Sequence, residues 1–253
     1  MISILILGTG NLGKHLFDVF MVQNGVEIIQ VYGRSKNAFS YFNPTNTTSD
    51  LVNIKEADIY IVAISDDAIS EVSKFLVAKK GLIVHTSGSI PMNILPNKHR
   101  RGVFYPLQTF TVNRKVNFKE IPICIEAENK ADYELLNELG STISDKVIQL
   151  DSDQRKALHL AAVFANNFTN HMYHIAQEIC VQNDAPFELL LPLINETANK
   201  IQDLSPFVAQ TGPARRNDKG TLEKQLAQLK NKKHRKIYSL LSKSIQKTYG
   251  KKL

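Results

Sequence analysis

A chain of 253 residues with 43% hydrophobic content can bury the core of one large or two modest domains, which excludes a disordered or low-complexity protein. Its longest apolar runs, ISILIL and ADIYIVAI, fall far short of the roughly 18 residues that span a bilayer, and no basic leader precedes them, so a cytoplasmic protein with no membrane partner is expected. The formal charge of +7 is uneven, since residues 1–150 are balanced and the excess lies in the second part, concentrated after Lys219. A lysine-rich tail without interleaved aromatics fits a solvated helix face better than a nucleic-acid stripe, and nucleic acid is not an expected partner.

Short β-branched runs alternate with helical stretches up to about residue 151, and long helical patterns follow. The expected fold is therefore α/β: a Rossmann-like, mostly parallel sheet domain over residues 1–151, then an all-α domain over 152–253. The first strand, Ile2–Leu7, runs directly into GTGNLG and then into a helix with Leu12, Leu16, Val19 and Phe20 at helical spacing. Gly8 permits a tight turn, Gly10 lets the backbone approach a pyrophosphate, and Gly13 lets the helix pack on the strand. Asn11 and Leu12 then present the helix N-terminus to the phosphates.

The second strand, Glu27–Tyr32, ends in VYGRS rather than in the carboxylate that would bind the ribose 2′-hydroxyl of NAD. Arg34 and Ser35 offer a planar cation and a hydroxyl suited to a 2′-phosphate, so NADP(H) is the expected cofactor. The later strands are Ile59–Ile64, Leu82–Thr86, Val103–Tyr105, Ile121–Glu126 and Val147–Leu150. Ligands lie beyond the carboxyl ends of such strands, which brings Ile64 and Ser65 to the cofactor and places Ser65, His85, Ser87, Tyr105 and Gln108 near its nicotinamide end. Ser65 and Asp66 fit equally well as a cap for a helix beginning near Asp67. Cys124 and Cys180 lack metal or redox spacing and are expected to be buried free thiols, with no metal site.

In the helical part, residues 153–180 place His159, Asn166, Asn170, Tyr173 and Gln177 on one stripe of a helix whose remaining circumference is mostly apolar. The helix is expected to be buried with a narrow polar seam, which either is satisfied among helices or faces a ligand cleft. QTGPARRND, at 210–218, interrupts two helical stretches. Arg215 and Arg216 there suit either an anion clamp or a capping turn with an ion pair.

The order GxGxxG, GRS, HTSGS, YPLQTF, a helical histidine and asparagine, and GPARRND resembles a bacterial family with a Rossmann-like domain and a helical C-terminal domain of unknown function. That family is similar to pyrroline-5-carboxylate reductase, to deazaflavin-dependent NADP oxidoreductase and, more distantly, to the 6-phosphogluconate dehydrogenases. The resemblance implies an NADP-binding N-terminal domain, a helical domain that dimerises, and an active site between them. One departure matters: the hydroxyacid dehydrogenases place a lysine one turn before a helical asparagine, whereas taking Asn166 as that asparagine puts Ala162 at the lysine position. His159 is the nearest ionisable group on the stripe and becomes the candidate acid.

The expected function is reduction of a C=O or C=N bond of a small, anionic metabolite by hydride transfer from NADPH in a homodimeric enzyme. His159, Asn166, Ser87, His85 and Tyr105 are the catalytic candidates, and Gln108, Asn170, Arg215 and Arg216 the substrate-binding ones. A non-catalytic NADP(H) sensor or scaffold is the alternative.

Overall fold

A computed structural model describes residues 1–250. Contacts divide the chain into two compact units, the first Met1–Asn166 and the second beginning at Asn167.

The first unit carries eight strands: β1 (Ile2–Leu7), β2 (Val26–Tyr32), β3 (Thr47–Thr48), β4 (Ile59–Val62), β5 (Leu82–His85), β6 (Arg101–Pro106), β7 (Ile123–Ala127) and β8 (Val147–Gln149). They form one sheet in the order β3-β2-β1-β4-β5-β6-β7-β8. All neighbours are parallel except β6 and β7, which pair antiparallel from Gly102↔Ala127 to Pro106↔Ile123.

The continuous apolar runs follow from cover on both faces of the sheet. Ile4 and Ile6 of β1 join one core cluster with Leu16, Phe17 and Phe20 of α1 (Asn11–Phe20) and Leu136, Leu139 and Ile143 of α3 (Lys130–Ile143). Leu5 and Leu7 point the other way, into a cluster with Tyr60, Val62 and Ile69, the last from α2 (Ile69–Lys74). Full burial of each such side chain contributes about 1.5–3 kcal/mol. Because β1 is flanked by β2 on one side and β4 on the other, the strand order reverses there, and a crevice opens at the carboxyl ends of β1 and β4.

Helix α4 (Ser152–Ala162) opens with a capping box: the Asp151 carboxylate accepts the N–H groups of Asp153 and Gln154, and the Gln154 side chain accepts that of Asp151. Although a boundary at 151/152 was the expectation, α4 lies inside the first unit. A π-helical segment, Val163–Phe168, follows, and then α5 (Thr169–Val181). The i→i+5 bonding of a π segment interrupts the 3.6-residue period on which the stripe from His159 to Gln177 was drawn.

The second unit continues with α6 (Leu191–Asn199), α7 (Pro206–Ala209), α8 (Lys219–Gln228) and α9 (Lys232–Tyr249). Two expectations are corrected here. The helix from 153 to 180 is not buried around its apolar circumference, since Leu160 is 61% and Phe164 63% exposed; its apolar surface exceeds what one chain covers. Cys124 is buried, but Cys180 is only partly so. No helix among the described residues is long and apolar enough to cross a membrane.

Candidate functional site

At the end of β1 the backbone turns sharply through Gly8, with φ +137°. A Cβ on Gly8 would overlap the Ala63 carbonyl beyond β4, and one on Gly13 would overlap the Gly8 carbonyl, so only glycine lets α1 start this close to the sheet. A Cβ on Gly10 would meet nothing within 4 Å, because that position faces open space. Gly10 is also the N-cap of α1 and supplies no side-chain cap, which leaves first-turn N–H groups for an outside acceptor.

The open space is a cleft of about 650 Å³. Its lining includes Gly8, Gly10, Asn11 and Leu12 from the turn, Arg34 and Ser35 beyond β2, and Ile64 and Ser65 beyond β4. Gly13 sits behind this wall. Ala68, Val72 and Phe75 add an apolar side, and the lining carboxylate, Glu71, lies on α2 rather than at the end of β2. Ser65 makes no side-chain cap for the 3₁₀ turn at Asp66–Ala68, so the capping alternative is not realised. The Asp66 carboxylate instead accepts a hydrogen bond from Ser89 Oγ at 3.2 Å, linking the cleft wall to the loop beyond β5.

That loop carries the second cluster. His159, on α4, rests its ring against Gly88, where a Cβ would come within 2.5 Å of Nδ1. Tyr105 Oη stands 2.9 Å from the same nitrogen. Burial pushes the Tyr105 pKa up to about 12, which keeps the phenol protonated at neutral pH. With the hydroxyl donating, Nδ1 of a neutral ring accepts and Nε2 carries the proton. If the ring becomes an imidazolium, the same hydroxyl oxygen accepts from Nδ1–H.

His85 and Ser87 serve the loop itself. His85 is fully buried, and burial, followed by the Arg155 guanidinium, pushes its pKa down to about 4. Its Nδ1 accepts the Ser87 N–H at 3.2 Å. At neutral pH it is an uncharged fixture with no exposed proton to give. Ser87 Oγ accepts the N–H groups of Ser89 and Ile90, both at 3.1 Å, and thereby shapes the turn.

Gln108 is exposed and its Oε1 accepts the Thr109 N–H. Asn166 is exposed in the π segment. Asn170, Arg215 and Arg216 belong to the second unit. There the Arg215 guanidinium donates to the carbonyls of Val208 and Gln210 and lies 5.8 Å from the Tyr249 ring centre, the arrangement of a loop-closing residue. Asp218 caps α8 through Thr221, and its carboxyl is held low first by Thr221 and further by Arg216.

Sequence reasoning missed Arg155 and Glu126. Arg155 is buried beneath α4 and pairs with Glu126 of β7. A hint was available, because Arg155 lies four residues before His159 and so on the same helix face. Its strand partner had no such signal. Among the described residues, no group of three or more His, Cys, Asp or Glu is arranged to hold a metal ion.

The family described as a domain of unknown function (DUF2520) matches residues 121–245. A solved structure from Bacteroides fragilis, described as a candidate NADP oxidoreductase, is 42% identical over 97% of this chain and 98% of its own, with a TM-score of 0.90. The chain belongs to the family of that protein. Two more distant structures share the fold of this family member. The imine reductase of Myxococcus stipitatus in complex with NADP+ is 14% identical over 98% of this chain and 96% of its own, with a TM-score of 0.68. The pyrroline-5-carboxylate reductase of Coxiella burnetii is 16% identical over 98% and 97%, with a TM-score of 0.58. No curated protein is significantly similar in sequence.

Proposed function

We propose that the chain is an NADP-dependent oxidoreductase that reduces a C=O or C=N bond of a small metabolite. The observation that carries this reading is that Arg34 and Ser35 share one cleft with the glycine turn, while the end of β2 bears no carboxylate. The turn accommodates a pyrophosphate at Gly10 and the first N–H groups of α1, and Arg34 takes the 2′-phosphate as a charge-assisted partner. NADPH, when bound, supplies the hydride.

The protein supplies the proton. His159 in its imidazolium form gives the Nε2 proton to the oxygen or nitrogen of the bond being reduced, while the Tyr105 hydroxyl holds Nδ1 before and after the transfer. Gly88 fixes the ring from below by leaving no room for it to sink. The substrate is taken to be anionic, with Arg216 the loop guanidinium not committed to the carbonyls that occupy Arg215. The active form is taken to be a homodimer built through the helical unit, where Leu189, Leu193, Phe207 and Leu240 are exposed in the single chain.

Thermal-shift measurements with NAD, NADP, NADH and NADPH, followed by an imine and carbonyl panel with NADPH, test the assignment. Stabilisation by the phosphorylated pair together with turnover is the expected result. Stabilisation without turnover on any member of the panel would favour the sensor.

A further inference from the structure

Buried charge beneath α4 points to a role for Arg155 that rests on the proposed role of His159. Arg155 is 1% exposed. Its guanidinium pairs with Glu126, donates from Nε to the Ser87 carbonyl at 3.2 Å and from Nη2 to the Ile90 carbonyl at 2.6 Å, and reaches Ser152 Oγ at 3.3 Å. Ser152 in turn donates to Glu126 at 2.9 Å and accepts the Met92 N–H at 3.0 Å. The residue on which His159 rests, Gly88, lies between the two carbonyls that Arg155 holds. One helix residue thus grips the loop, and a second, one turn later on the same face, uses the loop as its seat.

A buried ion pair is poor evidence of a stabilising role, because apolar residues of similar volume often replace such a pair without loss. What they cannot replace is the set of donors in a planar fork aimed at two carbonyls of one loop. We propose that Arg155, with Glu126 as its counter-ion, is a positioning residue that fixes the Ser87–Ile90 loop under α4 so that Gly88 and Tyr105 hold the His159 ring in one orientation. Arg155 itself is sealed from solvent. Its effect on the reaction passes through His159, for which a displacement of about 1 Å is enough to cost about 100-fold in rate.

The test uses the full chain and the variants Arg155→Lys, Arg155→Met/Glu126→Leu and, as a control, Asp132→Asn. The control breaks another ion pair, Arg100–Asp132, whose carboxylate is buried and whose arginine is half exposed, and which has no bond to this loop. ¹⁵N NMR of the His159 ring in the cofactor-free protein reports its tautomer, and steady-state kinetics reports kcat and KM.

In the folded double variant we expect the ¹⁵N shifts of the His159 ring to move away from their wild-type values, NADPH affinity to be kept, and kcat to fall about 100-fold with KM little changed. Arg155→Lys keeps the charge but reaches fewer acceptors, so it should show a smaller change in both readouts, and it decides the matter if the double variant does not fold. Asp132→Asn should lower stability while leaving the His159 signature and kcat intact. A folded Arg155 variant with the wild-type His159 signature and rate would overturn the proposal. If the wild type turns over no substrate, the proposed function fails, and the NMR comparison still decides whether Arg155 positions His159.

Discussion

Tyr105 and His159, 54 residues apart in sequence, meet edge to face with their rings inclined at 74° and the phenolic oxygen 2.9 Å from Nδ1. Strand β6 delivers the tyrosine and helix α4 the histidine. Their contact leaves Nε2 as the ring nitrogen not engaged by Tyr105, which is the geometry a proton donor needs. Backbone at Gly88 packs against the Nδ1, Cγ and Cβ side of the residue, so three different elements of one unit meet at the ring.

Replacing Gly88 by alanine therefore acts on His159 directly. The new methyl would lie 2.5 Å from Nδ1 and 2.6 Å from Cγ, so the ring must move. We expect a folded protein whose turnover falls about 100-fold, the scale of a misplacement of about 1 Å. Adding His159→Ala to Gly88→Ala should cost almost nothing further, because both changes remove the same interaction. Additive losses in that double-mutant cycle would show that Gly88 acts elsewhere.

Arg34→Ala should separate the two cofactors. Loss of a charge-assisted contact of about 1.5–3 kcal/mol corresponds to roughly a 10- to 150-fold weaker Kd for NADPH, with the Kd for NADH nearly unchanged. Titration calorimetry measures both. Equal weakening of the two nucleotides would assign Arg34 to the pyrophosphate or to the fold instead.

His85 makes a prediction about pH. Its pKa is lowered to about 4 in the folded chain from 6.5, so between those values the unfolded chain binds more protons and stability rises with pH. The contribution is fully present above 6.5 and is lost as pH falls toward 4, amounting to about 2 kcal/mol between about pH 7 and about pH 5. Carboxylates held low, such as Asp58, lose their contribution only at lower pH. Urea unfolding at the two pH values should show this loss in the wild type and a flatter response in His85→Asn, whose side chain can still accept the Ser87 N–H. An equal slope in both proteins would place the proton uptake elsewhere.

Much of the first unit was legible because a parallel sheet covered on both faces writes each strand as an unbroken apolar run. Ile2–Leu7 matches β1 residue for residue, and the other runs coincide with strands to within one or two residues at most ends. Thr47–Thr48 was missed as a strand because two threonines carry no periodicity, and β6 was read short because Arg101, Gly102 and Pro106 do not resemble strand ends. The antiparallel pairing of β6 with β7 left no mark in either run, since apolarity carries no direction.

At the site, the glycine turn was readable because Gly8 and Gly13 each have a steric reason that sequence context exposes, while Gly10 faces the open cleft. The Arg155–Glu126 pair was not, because its partners come from β7, α4 and the loop beyond β5. The polar stripe was drawn on a 3.6-residue period, which the π segment Val163–Phe168 interrupts.

Assembly is the next expectation. Val181, Leu189, Leu193, Ile201, Phe207 and Leu240 are each at least half exposed, and a single soluble chain rarely displays so many large apolar residues within one helical unit. Light scattering at micromolar concentration should return twice the chain mass of 28.4 kDa. A monomer would remove the homodimer from the proposal.

NADPH oxidation followed across a panel of imines and carbonyls, in wild type and His159→Ala side by side, tests the central claim most directly. The account predicts turnover by the wild type and a loss of about 100-fold or more in the variant, with the Kd for NADPH nearly unchanged, as for a general acid lost from an intact site. A variant that oxidises NADPH as fast as the wild type would contradict it.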